Sequence, residues 1–205
     1  MNYPIFIQKE LGTTSIDNSG SYGNMFDIIA HRDLNITSLD VHPDKPGYVE
    51  VWTRPGSFAE HYRSSEGWKM IANASLQHPN RMKTTPIPSS EFETVPMNAS
   101  STQAFFVRML EANLRYTIVS LENGYPYVNS DDLDLLVGSG FYNYSFGEWE
   151  LKSRQWNGVV HYSVYQQDLL QNNYNSIISS NFQGSSDSGA ENVTLEKSNG
   201  NIFEV

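Results

Sequence analysis

The sequence predicts an all-β protein: a two-sheet antiparallel sandwich, jelly-roll-like, with polar N- and C-terminal extensions. Three observations carry this expectation. Apolar residues recur at period two in short runs such as Val49–Thr53 and Leu133–Val137. Turn chemistry punctuates those runs, as in Pro43-Asp44-Lys45-Pro46-Gly47 and Arg54-Pro55-Gly56-Ser57. At 205 residues, with no cysteine, the chain is long enough to hold a core without disulfides.

Residues 1–22 read as an N-terminal arm or edge strand, with Ile5-Phe6-Ile7 ahead of a polar loop. The sandwich is expected over 23–165. Met25–Ala30 is partly apolar on both faces, the pattern of an inner strand. Leu34 and Ile36 alternate, then the phase slips by one at Thr37-Ser38 before Leu39 and Val41, which is the mark of a β-bulge. Val49, Val51 and Thr53 share one face of the next strand, opposite Glu50 and Trp52.

Residues 58–67 read as a polar loop, and the strand after Trp68 places Met70, Ala72 and Ala74 on one side. Residues 77–90 form a long surface connection, and Phe92–Met97 a short strand. Gln103–Leu114 contains good helix formers but also fits period two, and its strand neighbours favour strand. Gly138-Ser139-Gly140 breaks the run that ends at Val137, and residues 142–150 cross the end of the sheets as an aromatic loop. Trp156–Tyr165 closes the sandwich with Val160, Tyr162 and Val164 inward. The polar extension, 166–205, has the pattern of a short helix at Leu170, Tyr174, Ile177 and Ile178 and a hairpin around Asn199-Gly200.

A net charge of −10 with scattered Lys and Arg argues against nucleic acid as a partner. No apolar run approaches the roughly 20 residues of a membrane span. Residues 1–10 lack the pattern of a signal peptide. Five sequons, at Asn35, Asn73, Asn98, Asn143 and Asn192, favour an extracellular or cell-surface location, with an organelle or cytoplasmic assembly as the alternative.

Seven phrases together carry a family resemblance: Gly23-Asn-Met-Phe-Asp-Ile28, Asn35-Ile-Thr-Ser-Leu-Asp-Val-His42, Val51-Trp-Thr-Arg-Pro-Gly-Ser57, Gly67-Trp68, Ser101-Thr-Gln-Ala-Phe-Phe-Val107, Leu114-Arg-Tyr-Thr117 and Trp156-Asn-Gly158. Over Gly20–Tyr165 the chain resembles a family of poorly characterised secreted and surface β-sandwich proteins abundant in marine algae, with bacterial relatives. The resemblance implies a jelly-roll-like domain and carries over no catalytic residue. The chain departs from the family's pattern at His78, Asn80, Arg81 and Lys83, which stand in place of a glycine-rich passage, and in its added polar tail, whose role would be anchoring or assembly.

No nucleophile elbow, phosphate loop or dinucleotide fingerprint is present, and the five histidines lack metal-ligand spacing. Asp131, Asp132 and Asp134 are the candidate oxygen ligands for Ca²⁺, the one cofactor considered. Glu50, Glu148 and Glu150 are the carboxylates a glycoside-acting enzyme would draw on. Among the abundant aromatics, Trp68 and Trp156 read as core, while Trp52, Tyr62, Tyr142, Tyr144 and Trp149 read as ligand or partner contacts. Arg154, Trp156, Asn157 and Gly158 are assigned structural roles: Arg154 pairing with Asp27 or Asp40, and Asn157-Gly158 serving a bulge or close strand approach. The expected function is therefore a non-enzymatic structural or adhesive protein whose partner is a copy of itself, in an oligomer or lattice. The alternative is a lectin-like module binding cell-surface glycans.

Overall fold

The computed structural model describes residues 5–13, 19–77, 79, 83–147 and 150–165. In chain order its strands are β1 (Phe6–Gly12), β2 (Ser19–Ser21), β3 (Gly23–Ala30), β4 (Leu34–Val41), β5 (Gly47–Pro55), β6 (Lys69–Leu76), β7 (Thr85–Pro86) and β8 (Val95–Met97). They continue with β9 (Thr102–Met109), β10 (Leu114–Ile118), β11 (Pro126–Asn129), β12 (Leu133–Leu136), β13 (Gly138–Phe141), β14 (Glu150–Trp156) and β15 (Gly158–Tyr165). A 3₁₀ turn, Ser89–Glu91, stands among them. The predicted two-sheet antiparallel sandwich is the fold observed. The smaller sheet runs β1-β15-β4-β7, with β8 also on β4; the larger runs β2-β10-β14-β13-β3-β9-β5-β6, with β12 on β3 and β11 on β12.

The main core lies where the alternating strands put their apolar faces. Phe26 and Ile28, Ile36 and Leu39, Val49 and Val51, Phe105 and Val107, and the predicted trio Val160, Tyr162 and Val164 all pack in it. At its centre Phe26 stacks on Trp156 with ring centroids 4.4 Å apart. The predicted bulge is present: His161 pairs with Ser38 but Tyr162 with Ile36, so Thr37 is the extra residue, and Ile36 and Leu39 both point inward.

Other strands behave differently from their patterns. Val51 pairs with Ala72 and Trp52 with Met70, so Ile71 is a second bulged residue. It turns Met70 outward, to 43% exposure, and takes the core position itself at 6%. Gly138-Ser139-Gly140 is strand β13 and not a break. A Cβ on Gly138 would sit 1.9 Å from the Met25 carbonyl oxygen, so glycine is what admits this strand beside β3. Gln103–Leu114 contributes β9 and the start of β10, as the strand reading requires, and Ile118, where β10 ends, is 53% exposed.

The closing segment is two strands. Trp156 ends β14 in the larger sheet, and the chain crosses at Asn157 to β15 in the smaller one. Gly158 serves the predicted close approach, since a Cβ there would stand 2.3 Å from the Asp40 carbonyl oxygen. The sheets also take in residues ahead of 23: β1 pairs along its whole length with β15 as an edge strand, and β2 pairs with β10. The extension over 166–205, with its predicted helix and hairpin, lies outside the described residues. No helix among the described residues is long and apolar enough to cross a membrane.

Candidate functional site: an aromatic groove on the larger sheet

Strands β5 and β9 are neighbours in a register that sets Glu50 opposite Arg108 and Trp52 opposite Phe106. Because Val49, Val51, Phe105 and Val107 face the main core, strand alternation turns these four to the outer face. Two loops cover that face. Residues 56–68 cross it from β5 to β6, and residues 142–147 follow β13. Together they enclose a second apolar cluster of Met25, Phe58, Trp68, Ala104, Phe106 and Phe141, with Trp52, Tyr62 and Phe146 packed against it.

The first loop is tied down at both ends. Asp27, buried on β3, accepts hydrogen bonds from the Ser57 hydroxyl at 2.5 Å and the Phe58 N–H at 3.1 Å. Burial raises the Asp27 pKa to about 6; the bonds from Ser57 and Phe58 and the charge of Arg54 pull the other way without cancelling it. At the far end Trp68 donates its indole N–H to the His61 carbonyl at 3.0 Å, and Gly67, at φ +77°, makes the turn into that residue.

The centre of the outer face is an ion pair wrapped in rings. Arg108 places Nε at 2.8 Å and Nη2 at 2.7 Å from Glu50 Oε2, and Nη1 donates to the Tyr144 carbonyl at 3.1 Å. Its guanidinium lies 4.2 Å from the centroid of the Tyr144 ring and 4.8 Å from that of Trp52. Glu50 in turn accepts from the Tyr144 hydroxyl at 2.5 Å and the Trp52 indole at 2.8 Å. Burial acts to raise the Glu50 pKa, but the bonds from Tyr144, Trp52 and Arg108 outweigh it and hold the carboxyl below its ordinary value. Burial and the bond to Glu50 push the Tyr144 phenol up, so it stays a donor. The pair therefore fixes the orientation of two rings from both ends.

Above this network lies a groove of about 480 Å³ lined by Trp52, Arg63, Ser64, Ser65, Arg108, Tyr144, Ser145 and Phe146. Phe146 meets Trp52 edge to face at 5.7 Å and closes one side. Of the five aromatics expected at a contact surface, the fold brings Trp52 and Tyr144 into the lining. It sets Tyr62 beside them, against Phe141. Tyr142 is exposed at 63% and does not line the groove, while Trp149 lies outside the described residues. Pattern reading passed over the other six lining residues, among them Arg63, Arg108 and Phe146. Arg108 does leave a trace, as a lone charge inside the apolar run Ala104–Met109.

Comparison with protein-family models gives no match for this chain, and comparison with curated proteins gives none either.

The remaining predicted residues stand elsewhere. Asp132 is buried and held by Lys9 Nζ at 2.6 Å, Arg32 Nε at 3.1 Å and the Tyr162 hydroxyl at 3.0 Å. Asp134 faces His31 at 3.0 Å, and Asp131 is exposed. Asp132 is thus directed at cations of the chain itself and Asp134 at an imidazole, and among the described residues no group of three or more His, Asp or Glu is placed to hold a metal ion. Glu150 is bonded to Ser139 and Asn123, and Glu148 lies outside the described residues. Arg154 does not pair with Asp27 or Asp40. Asp27 is taken by Ser57 and Phe58, and Asp40 by His161 at 2.7 Å. Arg154 instead donates to the carbonyls of Lys152 and Ser153 and lies over the Tyr116 ring. Ser153, at φ 58°, bulges β14 just before it. Of the sequons, Asn73, Asn98 and Asn143 are exposed, Asn35 is half-buried in β4, and Asn192 lies outside the described residues.

Proposed function

We propose that this protein is a non-enzymatic interaction protein and that its groove on the larger sheet binds a glycan. The observation that carries this reading is the set of part-exposed rings, Trp52, Tyr144 and Phe146, locked in place around Arg108. Flat rings stack on the apolar faces of sugars, and rings already held in their bound orientation lose little entropy when they do so. Ser64, Ser65 and Ser145 supply hydroxyls at the same surface for the sugar's own. Glu50 is occupied in holding the rings, with both oxygens accepting hydrogen bonds, which supports binding rather than bond cleavage as its role. The exposed sequons favour an extracellular or cell-surface setting, where glycans are at hand.

A glycan array tests the reading. Trp52→Ala and Tyr144→Ala are each expected to weaken binding by about tenfold or more. Array signals that both substitutions leave intact would remove the groove from consideration.

A second reading, self-association, is favoured by β1. Among the described residues no strand covers its outer edge, and Ile5, Phe6 and Tyr165 are exposed beside it. Light scattering at high concentration, with Phe6→Ser as the edge variant, separates the two. Assembly that the variant abolishes supports self-association; a strict monomer rules it out.

A further inference from the structure

We infer that the groove selects glycans bearing a negative charge, as a carboxylate or a sulfate ester, and that Arg63 is the residue that recognises it. This rests on the glycan reading above and adds the class of sugar. Two guanidiniums line the groove and they are in opposite states. Arg108 is 8% exposed, with Nε and Nη2 on Glu50 and Nη1 on the Tyr144 carbonyl, so its charge is balanced and each of its nitrogens has a partner. Arg63 is exposed, and its guanidinium carbon lies 5.3 Å from the centroid of the Tyr62 ring. The Tyr62 ring lies to one side of this guanidinium, and because Arg63 is exposed its N–H groups stay accessible. They form a planar fork that matches two oxygens of a carboxylate or sulfate.

The surroundings favour such a ligand. Among the described residues the groove lining contains two arginines and no carboxylate side chain, and the one carboxylate beneath it, Glu50, is matched by Arg108. Arg63 therefore leaves a local positive charge on a chain whose net charge is −10. Ser64 and Ser65 follow it directly, and Ser145 lies in the same lining, so hydroxyl partners adjoin the cationic point. The overall negative charge also limits the ligand: a dense polyanion is repelled by the rest of the surface, whereas a sugar with isolated acidic groups can set one of them against Arg63.

The experiment uses the full chain on an array of acidic glycans paired with their carboxyl-reduced or desulfated counterparts, followed by calorimetry on the best pair. Wild type is expected to prefer the acidic member by about tenfold or more. Arg63→Ala should abolish that preference while keeping the residual affinity for the neutral member, and Trp52→Ala should weaken both. Arg63 is a surface side chain, so the variant's folding is checked by an unchanged thermal transition. Equal binding of the two members, still dependent on Trp52, overturns the charge inference and leaves the glycan reading standing. Free glucuronate or inorganic sulfate binding as tightly as the acidic glycan overturns it as well, because the site would then be for a simple anion. Absence of binding to every array member sinks both.

Discussion

At the scale of single residues, the groove depends on Glu50 and Arg108, two charges set on facing strands with their outer sides under rings. Each neutralises the other, and together they take hydrogen bonds from Trp52 and Tyr144 and give one to the Tyr144 backbone. Removing one partner leaves the other part-buried without its counter-charge. Arg108→Ala is therefore expected to lower stability by about 3 kcal/mol, measured by urea unfolding. Arg108→Lys keeps the charge but lacks the flat fork that stacks between Trp52 and Tyr144, so it should recover only part of that loss. The Glu50 carboxyl is held below its ordinary pKa of 4.5, so its contribution is complete above that value and is lost as the pH falls through the lower, folded-state one. Acid should thus loosen the groove: near-ultraviolet dichroism of Trp52 and Tyr144 is expected to change below pH 4.5 in wild type and to be pH-independent there in Glu50→Gln.

At the scale of elements, two glycines decide where strands can lie. Gly138 lets β13 approach the β3 backbone, and Gly158 lets β15 begin against β4 and the Trp156 ring. In both places the obstruction to a Cβ includes backbone, which cannot move aside as the end of a side chain can. Gly138→Ala and Gly158→Ala should each cost on the order of 3 kcal/mol or prevent folding. Gly147→Ala is the control, because its Cβ would find its nearest neighbour at 4.0 Å. A result in which all three alanine variants melt together with wild type would show that the strand spacing is not set by these contacts. The bulges act at this scale too. Thr37 keeps both Ile36 and Leu39 inward, whereas Ile71 exchanges a methionine for an isoleucine in the core.

At the scale of the whole molecule, Asp27 links loop anchoring to stability. Its pKa is raised from 3.8 to about 6 on folding, so the folded chain holds a proton that the unfolded chain has released between those values. The contribution is present below pH 3.8 and is lost as the pH rises through about 6, a change on the order of 3 kcal/mol across the window. Other carboxylates titrate in the same range, so the informative quantity is the difference from Asp27→Asn. Wild type is expected to lose that much stability relative to the variant between pH 3.5 and 7.5, by urea unfolding at fixed salt. A difference independent of pH would mean that Asp27 titrates normally.

The sequence by itself determined the fold class, the strands with clean alternation, and one bulge. These follow from period-two patterning, turn residues and a phase slip, all of which are local. It also singled out Trp52 and Tyr144, since large rings on the polar side of a strand or in a glycine-bearing loop have few structural uses. Tertiary structure alone decided that they meet. Trp52 lies on β5 and Tyr144 in the loop after β13, and the strands that bring them together, β3 and β9, lie elsewhere in the chain. The same reason hid the second bulge, the strand character of Gly138-Ser139-Gly140, the partners of Arg154 and the cation pairing of Asp132. Each depends on a neighbour distant along the chain, and a one-dimensional pattern holds no record of which groups folding will place within hydrogen-bond reach.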